Sequence, residues 1–70
     1  MSSDDFELII TKHARDQMFN RGIDEDQIRK VISQGAKIKQ TDGLKSIHGY
    51  IGVCYKIVGN KYVVKTVIIE

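Results

Sequence analysis

The hydrophobic pattern of this chain changes period once, at Gly35, and that change restricts the fold more than any other feature. Before it, apolar residues recur at helical spacing, Ala14 with Met18 and then Ile28 with Val31 and Ile32. After it they alternate: Ile38 stands between Lys37 and Lys39, and Val53, Tyr55 and Ile57 occupy every second position. A stripe with a period of 3.6 belongs to a helix and one with a period of 2 to a strand, so two helices are expected first and a sheet second. With 41% apolar and 29% charged residues, residues 1–70 are read as a single folded domain. A chain of this length buries only about 60% of the surface it exposes when unfolded, so its core is small.

Local punctuation sets the element boundaries. Thr11 can accept a hydrogen bond one turn on, and Arg21-Gly22 ends a helix with a basic last turn and a glycine, which predicts a first helix over residues 12–21. Asp24 and Gln27 form a capping-box pair, Glu25 and Asp26 favour the positive end of the helix dipole, and Gly35 closes this second helix. Residues 1–5 are expected to fray, and the apolar run over 6–10 is too short to separate a strand from a lead-in. Asp42-Gly43 and Gly59-Asn60 are turn signals. Residues 47–58 read as a strand with Ile47, Ile51, Val53, Tyr55 and Ile57 on one face and His48, Tyr50, Cys54 and Lys56 on the other. In the last strand Tyr62, Val64, Thr66 and Ile68 alternate with Val63, Lys65, Val67 and Ile69. Being apolar on both faces, that strand is either central or pairs with another chain, and a homodimer through it is expected. The predicted architecture is α+β, with both helices packed on one face of a three- to four-stranded antiparallel sheet.

The net charge of +2 is unevenly spread: acids gather early, whereas the sheet half is basic. A lone cysteine, Cys54, excludes an internal disulfide and suits a reducing compartment. No apolar window reaches the ~18 residues of a membrane helix, so a cytoplasmic protein without membrane contact is expected. The sequence offers no metal-ligand cluster and no phosphate-binding glycine loop, and therefore predicts no metal or cofactor.

Few side chains exceed what folding needs. His13, Gln17 and Arg21 recur every four residues along one stripe of the first helix. Imidazole serves as an acid or base near neutral pH, and a guanidinium can clamp a phosphate. His48 and Tyr50, read on one strand face with Lys56, offer a second acid and a stacking platform for a base. Lys37, Lys39, Lys45, Lys56 and Lys65 would steer a phosphate backbone.

The ordered set of His13-Ala14, Arg21-Gly22-Ile23 with an acidic cap after it, a hairpin holding Val53 and Tyr55, and a closing strand with Val64 and Thr66 resembles a small family of unknown function, number 4258. That family is in turn similar to RelE-, barnase- and colicin-type RNases. The resemblance implies a RelE/barnase-like fold and metal-independent cleavage of RNA through the ribose 2′-OH, as in the toxin of a toxin–antitoxin module. It carries His13, Arg21 and Thr66 as catalytic candidates, to which the strand-face reading adds His48 and Tyr50, and it implies RNA, free or ribosome-bound, and an antitoxin protein as partners. Unlike RelE-type toxins, this chain has no arginine after Arg29. The alternative is a non-catalytic RNA- or protein-binding domain of the same fold.

Overall fold

The computed structural model describes residues 6–70, so the fraying expected for residues 1–5 lies outside it. The elements run β1 (Glu7–Ile10), α1 (Lys12–Arg21), α2 (Glu25–Gln34), β2 (Ala36–Gln40), β3 (Gly43–His48), β4 (Ile51–Val58) and β5 (Lys61–Ile69). Both helices keep the boundaries that their caps dictate. Thr11 Oγ1 accepts from the Ala14 N–H at 3.2 Å, and the Ile23 N–H returns to the Met18 carbonyl at 2.9 Å. Asp24 and Gln27 satisfy each other's backbone N–H groups reciprocally, at 2.9 and 3.0 Å.

The sheet corrects the predicted architecture. It has five strands in the order β1-β5-β4-β3-β2, and β1 pairs parallel with β5, so it is mixed rather than antiparallel with three or four strands. Two local causes produce the difference. The short apolar run over residues 6–10 is a strand, matching Leu8 to Tyr62 and Ile10 to Val64, partners more than fifty positions away that no local pattern reveals. The stretch read as one strand over residues 47–58 is two strands, because Gly49 takes φ 64° and turns the chain back at Gly49-Tyr50.

That turn also corrects the assignment of faces. His48 pairs with Ile51, Ser46 with Val53 and Leu44 with Tyr55, which puts His48 on the same side as the buried Ile51, Val53 and Tyr55. Lys56 points to the opposite face, so the common face expected for His48 and Lys56 does not exist. In β5 the alternation breaks as well. Tyr55 faces Val64 whereas Cys54 faces Thr66, leaving Lys65 as the extra residue of a β-bulge. The bulge lets Val64 and Val67, an odd number of positions apart, both bury completely, and it turns Thr66 away from Tyr62 and Val64 onto the far face.

One cluster joins the helices to the sheet. Ala14 and Met18 of α1 and Ile28, Val31 and Ile32 of α2 pack with Val53, Tyr55, Val64 and Val67. Through the cluster runs a stacked series: Arg29 lies 5.0 Å from the Phe6 ring, Phe6 stacks on Tyr62 at 4.3 Å, and Tyr62 stacks on Tyr55 at 5.6 Å. The series ends on a hydrogen bond of 2.9 Å between the Tyr55 hydroxyl and Ser46 Oγ, both residues being fully buried. Beyond Val64, β1 no longer flanks β5; there Gln17 of α1 takes its place, its Oε1 accepting the Val67 N–H at 2.8 Å. No described helix is long and apolar enough to cross a membrane.

Candidate nucleic-acid interface

The residues expected to act together are distributed over two sides of the sheet. His13 is exposed on the first turn of α1, and Arg21 stands two turns later, about 12 Å along the axis. Gln17, between them, is already engaged with the backbone of β5. A single phosphate would reach both ends of this stripe only across that engaged amide. Thr66 lies on the face of the sheet away from the helices, so the sheet itself stands between it and His13.

The expected phosphate-steering lysines are similarly divided. Lys37 and Lys39 are exposed on the outer strand β2 and share the helix side of the sheet with Ser46 and Leu44. Lys45, Lys56 and Lys65 occupy the far face, and all three contact carboxylates. Lys45 Nζ lies 2.8 Å from Glu70, and Asp42, carried on the β2–β3 turn, lies 3.7 Å from Lys56 and 3.3 Å from Lys65. Gly52 leaves room for the first pair, since a Cβ there would come within 2.9 Å of Glu70 Oε2. The hydrogen bond from Lys65, followed by that ammonium's charge and then by the charge of Lys56, holds the Asp42 carboxyl below its ordinary value of 3.8. The hydrogen bond with Glu70 raises the Lys45 ammonium above its ordinary 10.5.

A carboxylate with a lowered folded-state pKa stabilises the fold at every pH above its unfolded value. The contribution disappears as pH falls through the folded value. The parent chain and Asp42→Asn are therefore expected to differ in thermal midpoint at neutral pH and low salt, and to converge once the pH drops below the carboxylate range. Added salt should narrow the neutral-pH difference. Equal midpoints at neutral pH and low salt would show that the turn gains nothing from its lysines.

Two of the expected residues do meet. The β3–β4 corner and α2 enclose a cleft of about 210 Å³ lined by His48, Gly49, Tyr50 and Ile51 from the corner and by Gln27, Lys30 and Val31 from the helix. The hairpin fixes the corner: His48 pairs with Ile51, and the Tyr50 carbonyl accepts the Glu70 N–H at 2.7 Å, tying the turn to the chain end. Val31 and Ile51 are buried and form an apolar floor, while Tyr50 is 62% exposed at the rim. Lys30, one helical turn from Gln27, lines the same opening. An imidazole, a phenol and an ammonium around an apolar floor form a set that can stack a base and hold a phosphate.

Lys30 and Gln27 were not legible as site residues. Their spacing marks one side of α2, but Gln27 is accounted for as a capping partner, and nothing in the local pattern singles out Lys30. Only the packing of α2 on β3 and β4 brings them to the corner. Among the described residues no three His, Cys, Asp or Glu side chains are grouped to hold a metal ion.

The family model described as Domain of unknown function (DUF4258) matches residues 10–69, from the end of β1 to the end of β5. The chain belongs to that family. This match covers both helices, the β3–β4 corner and the closing strand, so the cleft is built from the family's own domain. No curated protein and no solved structure matches the chain.

Proposed function

We propose that this DUF4258 domain is a small endoribonuclease that takes single-stranded RNA at the β3–β4 corner and cleaves it through the ribose 2′-OH, as a toxin of a toxin–antitoxin module would. The observation that supports this reading is the convergence of His48, Tyr50 and Lys30 on one small cleft with an apolar floor. In the proposed reaction His48 removes the 2′-OH proton and the 2′-oxygen attacks the adjacent phosphorus. The bond to the 5′-oxygen breaks, leaving a 2′,3′-cyclic phosphate, and the departing oxygen takes a proton from the Tyr50 hydroxyl or from water. Lys30 offsets the charge that builds on the phosphorane oxygens. Tyr50 offers its ring to a neighbouring base, and the exposed Lys37 and Lys39 on the same side of the sheet draw in the flanking backbone. His13 and Arg21 lie outside this cleft and are assigned no chemical step.

The test uses the full chain with two single-stranded oligonucleotides of one sequence, one all-ribose and one 2′-O-methylated throughout. Cleavage of the first to products ending in a cyclic phosphate, with the second left intact, is the expected result. Salt-sensitive binding of both with cleavage of neither would replace the enzyme by a non-catalytic RNA-binding domain. Cutting confined to ribosome-bound RNA would keep the chemistry and restrict the substrate.

A further inference from the structure

The turn between the helices carries a second surface that the RNA cleft does not use. Phe19 of α1 is 87% exposed, more than any other large apolar side chain described. Folding does not require it there, because the buried stripe of α1 is Ala14 and Met18. Phe19 itself lines one edge of an open cleft of about 420 Å³ where α1 and α2 diverge, with Met18 and Ile23 also in its lining. Its rim bears Arg15 on the α1 side and Asp24 and Glu25 on the α2 side, with Arg15 Nη2 and Glu25 Oε2 3.5 Å apart. Gly22, at the bend, leaves the approach open, since a Cβ there would meet nothing within 4 Å.

An exposed aromatic next to an apolar recess is the arrangement of a protein-binding anchor. The two rim carboxylates repel a phosphate backbone, which argues against RNA on this side. A fitting partner brings one apolar knob and charges of both signs in the reverse order. The geometry points to a second copy of this chain as that partner, docked corner to corner about a two-fold axis. Knob and recess are neighbours on one surface, so the rotation sends each Phe19 into the other copy's cleft. The same rotation sets each Arg15 against the other copy's Asp24 and Glu25, which makes the patch self-complementary. A standard interface takes about 800 Å² from each partner. That is close to a fifth of the 4478 Å² this chain exposes, so a contact centred on one corner is a weak, concentration-dependent one.

Sedimentation velocity of the full chain from micromolar to millimolar concentration tests this. A monomer–dimer equilibrium is expected for the parent. Phe19→Asp should be monomeric throughout with an unchanged thermal midpoint, because the side chain lies outside the core. Arg15→Glu should raise the dissociation constant about tenfold or more, and Arg15→Glu combined with Glu25→Arg should bring it back. A parent that stays monomeric at millimolar concentration would overturn the proposal. So would a dimer that survives both Phe19→Asp and Arg15→Glu, since another surface would then be holding it.

Discussion

Truncating Tyr55 to alanine is expected to cost about 4 kcal/mol of folding stability, the upper range for an aromatic lost from a core. Tyr55 is fully buried, stacks on Tyr62, and carries the hydroxyl that partners the fully buried Ser46. Its loss opens a cavity at the centre of β4, removes one member of the stack that reaches Phe6 and Arg29, and leaves the Ser46 hydroxyl without its partner. Domains are stable by only about 5–15 kcal/mol in all, and a short chain sits low in that range. Tyr55→Ala should therefore retain only about 1 kcal/mol and carry a substantial unfolded fraction at 37 °C, as urea denaturation followed by circular dichroism would report. Tyr55→Phe isolates the polar part. It should cost about 1–2 kcal/mol by stranding Ser46, as should Ser46→Ala by stranding the phenol. The double change should cost clearly less than the two single costs together, because it strands neither group. Additive costs would mean that the 2.9 Å contact contributes nothing.

His48→Ala is expected to slow RNA cleavage by about 10²–10⁴-fold, the usual contribution of a positioned acid or base. Its thermal midpoint should stay near that of the parent, because His48 ends β3 at the rim of the cleft and is absent from the buried cluster. Lys30→Ala should reduce the rate while making binding less salt-sensitive, as expected for a cation that meets phosphate. His13→Ala is the informative control. It lies outside the cleft and should leave the rate nearly unchanged. If His13→Ala abolished cleavage and His48→Ala did not, the reactive centre would lie on α1 and the assignment of the corner would fail.

The contrast between these two histidines shows where the sequence stops being informative. His13 draws attention because its helical neighbours are known from spacing alone, and α1 begins and ends where its caps say it should. What stands opposite a helix is not encoded in the helix. Gln17 looked like part of a polar stripe with His13 and Arg21, yet it closes the open edge of β5 at Val67, fifty positions further on. His48 is a companion of Lys56 only if a single strand runs through Gly49. One residue in the left-handed region turned the chain back and reversed the face. Thr66 changed sides for the related reason that one extra residue, Lys65, sits in β5.

By itself, then, the sequence determined what depends on neighbours in the chain: two capped helices, the glycine turns at residues 43 and 59, and the apolar stripes of the two helices that enter the core. It also carried the order of features that ties the chain to its family. Tertiary structure alone decided the parallel pairing of β1 with β5, the bulge, the pairing of Lys45 with Glu70 and of Lys56 and Lys65 with the shared Asp42, and the meeting of Lys30 with His48 and Tyr50. Caps and turns are settled by hydrogen bonds spanning three or four residues, so a local reading finds them. Strand pairing and the cleft depend on which faces meet across the fold, and shifting a strand by one residue exchanges its two faces.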